Sequence, residues 1–216
     1  MKPRVNRELL ALLVFLINLT SARGEITGLN TGDLIFQAEG NSSFSKAIAE
    51  STAWEDSLRI VHVGFLCIKD NEEIKVIEAN PEEGVWETTL SDFLEHSPKI
   101  KDKPGVIVKR INKNFPADKI LERAGKYMGE PYDWWYLPDN GKMYCSELVQ
   151  TVFLDEEGNT LFSSKPMNFK DKDGKIPEFW IGLFEELGMD VPQGVKGTNP
   201  QDIFNDSLLF EVMRFF

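Results

Sequence analysis

Cys145 stands where a loop gives way to a helix-forming run. Pro138, Asp139, Asn140 and Gly141 precede Met143-Tyr144-Cys145-Ser146-Glu147-Leu148-Val149, and Leu148, Val149, Val152 and Phe153 continue it as an apolar stripe. A thiol in the first turn of a helix faces unpaired backbone N–H groups and the positive end of the helix dipole. Both favour the thiolate, the form that attacks a carbonyl carbon. Such a nucleophile needs a base, and the chain has two histidines. His62 lies in the alternating run Val61-His62-Val63-Gly64-Phe65, where Val61 and Val63 point to the opposite face and Gly64 leaves room for a close neighbour. His96, in Glu95-His96-Ser97-Pro98, reads as a solvated helix end. Glu78 ends the next run, Val76-Ile77-Glu78-Ala79-Asn80. If the two runs pair as a hairpin, Glu78 shares a sheet face with His62 and can orient the imidazole and favour its charged form, with Asn80 as a weaker substitute. A cysteine at a helix start with a histidine on a strand is the arrangement of cysteine peptidases and amidases.

Each of these residues also has a plainer reading. Cys145 would serve equally as a small buried helix residue, and Glu78 as a solvated strand end. Cys67 lies in the alternating stretch 61–68 and reads as a buried hydrophobe, but two cysteines in an exported chain also allow a Cys67–Cys145 disulfide. That pairing would leave a non-catalytic binding domain. The loop 129–141 is rich in aromatics, with Tyr132, Trp134, Trp135 and Tyr136. It is either a hydrophobic lid over the core or the source of a tyrosine hydroxyl aimed at an oxyanion, working beside the backbone N–H of Cys145. The two histidines are far apart and no His-x-x-x-His occurs, so neither a metal nor a cofactor is expected.

The 216 residues, 42% of them hydrophobic, are enough for one domain with a real core. The formal net charge of -11 argues against nucleic acid and against anionic membranes as partners, whereas a cysteine hydrolase of this kind would take a small peptide or acyl-amide substrate. Oligomeric state is not readable. At the N-terminus Lys2, Arg4 and Arg7 precede an apolar run over 9–19 and then Thr20-Ser21-Ala22-Arg23-Gly24. This is the layout of a secretory signal, 1–24, followed by a single domain, 25–216. The run is too short for a comfortable membrane span, so no stable insertion is expected after cleavage, and the product is periplasmic or extracellular. Removing four basic residues and one acidic residue moves the net charge to about -14.

Alternation and turn residues predict strands at 32–37, 59–69, 73–79, 85–88, 106–108 and 208–215. Helices are predicted at 44–52, 92–96 capped by Ser91, 115–127 with Pro116 in its first turn, 145–153, 177–187 and 200–204. Strands joined by tight turns, interleaved irregularly with helices, give an α+β fold with a mainly antiparallel sheet.

Taken in order, Gly32-Asp33-Leu34-Ile35-Phe36, His62-Val63-Gly64, Glu78-Ala79, Gly129-Glu130-Pro131-Tyr132-Asp133 and Tyr144-Cys145-Ser146-Glu147-Leu148-Val149 resemble the NlpC/P60 superfamily of papain-like cysteine hydrolases. They are closest to its circularly permuted amidase branch, the YiiX/YebB-like proteins, in which the histidine precedes the cysteine. Glu147 departs from the unpermuted Cys-Ser-Gly-Leu pattern and suits the permuted Cys-Ser-Glu-Leu form. Val191-Pro192-Gln193-Gly194 and Gly197-Thr198-Asn199-Pro200 extend the likeness toward the C-terminus. The resemblance implies Cys145 as nucleophile, His62 as general base and Glu78 as orienting residue, with Tyr132, Tyr144, Asp133 and Asn80 on the oxyanion or substrate side. It also implies hydrolysis of an amide through a thioester, with a γ-D-glutamyl link in cell-wall peptides as the preferred substrate. Hydrolysis or acyl transfer on a lipid is the alternative.

Overall fold

In the computed structural model, which describes residues 27–53, 57–113 and 115–216, alternating β-branched and aromatic residues pair into one antiparallel sheet. Its strands are β1 (Leu34–Ala38), β2 (Ile60–Ile68), β3 (Ile74–Asn80), β4 (Gly84–Thr89), β7 (Val106–Ile111) and β10 (Leu209–Arg214), in the order β10-β7-β1-β2-β3-β4. Two further pairs of two-residue strands lie outside it: β5 (Lys99–Ile100) with β6 (Lys103–Pro104), and β8 (Lys165–Pro166) with β9 (Lys196–Gly197). The helices are α1 (Ser43–Thr52), α2 (Leu90–His96), α3 (Ala117–Ala124), α4 (Cys145–Val152), α5 (Glu178–Glu186) and α6 (Pro200–Phe204). The expected signal segment, 1–24, lies outside the described residues. Among the described residues no helix is long and apolar enough to cross a membrane.

The central strand β1 is covered on both sides, so Leu34 and Phe36 enter one core while Ile35 enters another. The larger core joins the sheet to α4 through Leu148, Val149 and Val152, with Phe153 and Phe162 beyond them. The smaller core packs Leu66, Val76 and Val108 against Leu90 and Phe93 of α2. The site-bearing strands β2 and β3 thus lie between helical layers, an α+β arrangement as the sequence predicts.

The boundaries differ from expectation in two instructive places. Helix α2 is capped by Thr89, whose Oγ1 accepts from Asp92 N at 3.0 Å, and not by Ser91. Thr89 is still extended at the end of β4, so the strand runs straight into the helix. Helix α3 starts after Pro116 and stops at Ala124, short of 127. The chain then turns back onto β4: Gly129 N donates to Val85 O and Val85 N donates to Glu130 O, both at 2.8 Å. Gly84 makes this docking possible. Its φ is +72°, and a Cβ there would lie 2.2 Å from Glu130 O.

Candidate active site

Tyr144 caps α4 in an extended conformation and Cys145 is the first helical residue. Tyr144 N donates to the Glu147 carboxyl at 3.4 Å, the backward half of a capping box. The Tyr144 ring is fixed at its far end, where its hydroxyl accepts from Thr198 N at 3.1 Å. Gly197 permits this approach, since a Cβ there would meet the Tyr144 hydroxyl at 2.7 Å. The C-terminal loop therefore holds the residue before the cysteine. Burial, reinforced by the charge of Asp133, pushes the Glu147 carboxyl up to about 8.

His62 and Glu78 come together through strand register. Gly64 pairs with Glu78, so His62, two residues earlier on the same face, reaches the carboxylate diagonally. His62 Nε2 and Glu78 Oε2 are 2.5 Å apart. Trp86, paired with Glu78 across β3 and β4, donates from Nε1 to Glu78 Oε1 at 3.2 Å. Both carboxylate oxygens are thus engaged in a residue only 5% exposed. With Nε2 committed to Glu78, Nδ1 is the ring nitrogen left for Cys145. Burial alone would lower the pKa of His62, but hydrogen bonds and charge from the Cys145 and Glu78 side chains outweigh it and push it up to about 10. A register shift sits beside this histidine: Gln37 pairs with His62 but Ala38 with Ile60, so Val61 is an extra residue on β2. Bulges of this kind re-aim neighbouring side chains and recur beside active sites.

The remaining residues singled out in the sequence divide into two groups. Tyr132 is buried, its hydroxyl 3.4 Å from that of Tyr136, and it borders both cavities of the site. Burial raises both phenols well above their ordinary range, so they remain O–H donors. Asp133 is turned inward. It is 0% exposed, and its carboxylate accepts from Trp135 N, Leu137 N and Asn140 Nδ2 at 2.9–3.0 Å, folding the aromatic loop about itself. Asn80 does not orient His62 either. Its Oδ1 accepts from Glu82 N and Glu83 N and shapes the turn between β3 and β4, although the residue borders the groove. His96 is an exposed last-turn residue whose Nδ1 bonds Asp92 O at 2.8 Å, as its sequence context suggests. Both cysteines are free and buried, so the Cys67–Cys145 disulfide is not formed.

Two cavities share Ile48, Val61 and Tyr132 in their walls, one bordered by His62 and the other by Cys145. A broad groove of about 890 Å³ is bordered by His62, Glu78 and Trp86, with Glu39, Glu82, Glu83 and Asp92 along its walls. A narrow cavity of about 50 Å³ is bordered by Cys145, Tyr132, Tyr136 and Tyr144. Among the described residues no group of three or more His, Cys, Asp or Glu side chains gathers as a metal-binding cluster.

The chain is similar to the uncharacterised protein YiiX of Escherichia coli strain K12, with 28% identity over 187 residues that cover 85% of this chain and 86% of that protein. It is also similar to a solved structure described as the metalloprotein YiiX from Escherichia coli O157:H7. The TM-score is 0.70 and the identity 26%, covering 86% of this chain and 97% of the other. The family model for permuted papain-like amidases, the YaeF/YiiX or C92 family, matches residues 28–213, and the chain belongs to that family of papain-like cysteine amidases and peptidases.

Proposed function

We propose that this cysteine hydrolase opens an amide bond with Cys145 as nucleophile, His62 as the proton carrier and Glu78 as the residue that orients it. The observation that carries the reading is the 2.5 Å His62–Glu78 hydrogen bond, made by Nε2, which leaves Nδ1 for the thiol. A raised His62 pKa means the imidazole already holds the proton that the thiol gives up. The thiolate attacks the carbonyl carbon, and the oxyanion is held by the backbone N–H of Cys145 and the Tyr132 hydroxyl. Imidazolium then passes its Nδ1 proton to the amine nitrogen, the C–N bond breaks, and a thioester remains on Cys145. Neutral His62 takes a proton from water, the resulting hydroxide attacks the thioester, and the acid leaves as thiolate is restored.

The substrate proposed is a small cell-wall peptide cut at a γ-D-glutamyl amide, met outside the cytoplasm after removal of the N-terminal segment. The net charge of -11 suits a small soluble peptide better than an anionic polymer or membrane.

The test is alkylation of the protein by iodoacetamide across pH, mapped to individual cysteines, alongside His62→Ala. Cys145 is expected to be alkylated faster than Cys67, and His62→Ala to lose that reactivity. Alkylation of Cys145 no faster than of Cys67, or unchanged in His62→Ala, would remove the ion pair and the mechanism with it.

A further inference from the structure

The cavity beside Cys145 contains two side chains whose polar atoms are unaccounted for. Ser146 is 0% exposed and Thr198 7% exposed, and neither Ser146 Oγ nor Thr198 Oγ1 has a hydrogen-bond partner among the described residues. A buried hydroxyl without a partner is costly, because folding has removed it from water without replacing the bond. Both residues border the same cavity as Cys145. The other polar groups there are occupied: Ser51 Oγ accepts from Trp180 Nε1, Thr52 Oγ1 donates to Ile48 O, and Asn168 Nδ2 donates to Ser51 O. The Tyr144 hydroxyl accepts from Thr198 N, Asn199 Oδ1 accepts from Asp202 N, and the Tyr132 and Tyr136 hydroxyls face each other. Ile48, Val61, Met167, Phe169 and Trp180 supply the apolar wall, and no Lys, Arg, His, Asp or Glu side chain borders the cavity.

The chemistry assigns the two cavities to the two halves of an amide. His62 must reach the leaving nitrogen, and it borders the groove but not the small cavity, so the amine departs along the groove. The acyl group, bonded to Cys145, then occupies the small cavity. At about 50 Å³ that cavity is much smaller than the groove of about 890 Å³.

We propose that the Ser146–Thr198 cavity is the acyl-specificity site, and that it selects a short, uncharged acyl group carrying a hydrogen-bond acceptor a few atoms from the scissile carbonyl. This rests on the amidase reading and narrows it. A fatty acyl chain is too long, and a free carboxylate would enter a site without a cation. In a γ-glutamyl substrate the charged α-carboxyl stays outside the cavity.

Activated esters test this without demanding a particular amine. Methoxyacetyl and butyryl p-nitrophenyl esters place an ether oxygen or a methylene at the same point, while decanoyl and hemisuccinyl esters supply length and charge. Each rate of Cys145 acylation, identified by intact-protein and peptide mass, is divided by the rate of the same ester with N-acetylcysteine to remove intrinsic reactivity. The methoxyacetyl ester is expected to exceed butyryl by about fivefold, the size of one neutral hydrogen bond, and decanoyl and hemisuccinyl by tenfold or more. Thr198→Val and Ser146→Ala should move the methoxyacetyl-to-butyryl ratio toward one, whereas a merely structural defect would slow both esters alike. A ratio of one in the parent protein, a ratio unchanged in both variants, or decanoyl as the best ester would overturn the assignment while leaving the amidase intact. Failure of every ester to acylate Cys145 would overturn the amidase reading itself, and the assignment with it.

Discussion

Gly64 faces Glu78 directly across β2 and β3, and its missing side chain leaves the space through which His62 reaches the carboxylate. A Cβ at Gly64 would lie 2.8 Å from Ile77 O, 3.1 Å from Val76 Cγ1 and 3.2 Å from Glu78 Cβ. The first of these contacts is with backbone, which cannot rotate away. Gly64→Ala is therefore expected to push β3 outward and separate His62 from Glu78. Overpacking of this kind costs about 1–3 kcal/mol of stability. The amidase rate should fall tenfold or more in protein that still unfolds cooperatively, and urea unfolding beside turnover checks both. Normal turnover in Gly64→Ala would mean that the diagonal contact tolerates a wider gap.

Much of this site was legible in the chain because its parts carry local signals. Loop residues before an apolar stripe mark the start of α4 at Cys145, and alternation puts His62 on one strand and Glu78 on the next. Trp86 was missed because its bond to Glu78 depends on the register across the turn 81–83, which only becomes fixed once Asn80 is seen to pair with Gly84. The turn signal Pro81 and Gly84 was available, and counting back from it would have placed Trp86 opposite Glu78. The bulge at Val61 left no such trace, since an extra residue does not alter the alternation of its neighbours enough to be read. Nor did the sequence reveal that Thr198 meets Tyr144, which lies 54 residues away. Nor did the sequence reveal that the Asp133 and Asn80 side chains accept from nearby N–H groups and shape local turns, a common use of short polar side chains.

Trp86 holds the outer oxygen of Glu78, so it should act on catalysis through that carboxylate. Trp86→Phe keeps an aromatic ring and removes the N–H donor. The expected result is a several-fold fall in kcat with little change in KM, and a changed pH profile for Cys145 alkylation. Glu78→Ala should cost more than Trp86→Phe and less than Cys145→Ala, because it removes the orienting group but leaves nucleophile and base. A KM effect alone in Trp86→Phe would make the indole a groove wall and not a positioning residue.

The raised pKa of His62 has a consequence for stability. The unfolded chain releases this proton near 6.5, whereas the folded protein keeps it until about 10, with burial opposing and Cys145 and Glu78 favouring the charged ring. The histidine's contribution is thus present in full below pH 6.5 and is lost as the pH rises through about 10. Urea unfolding of the parent protein is expected to show stability declining across that window, and His62→Gln to lack that part of the decline. Parallel pH dependence in the two proteins would mean the ring is not charged in the folded state.

Glu147 should contribute a second, earlier decline. Its carboxyl is moved upward by burial and by Asp133, from 4.5 to about 8, so the folded protein holds a proton that the unfolded chain gives up first. Stability from this group is present below about pH 4.5 and is lost as pH rises through about 8, the opposite of an ion-paired carboxylate. Glu147→Gln retains a carbonyl to accept from Tyr144 N while removing the charge that would otherwise face Asp133. The variant is expected to match the parent near pH 5 and to be more stable at pH 8, with Cys145 alkylation preserved. If it were instead less stable at pH 8, Glu147 would be ionised in the folded protein, and its charge at the start of α4 would be supporting the helix dipole.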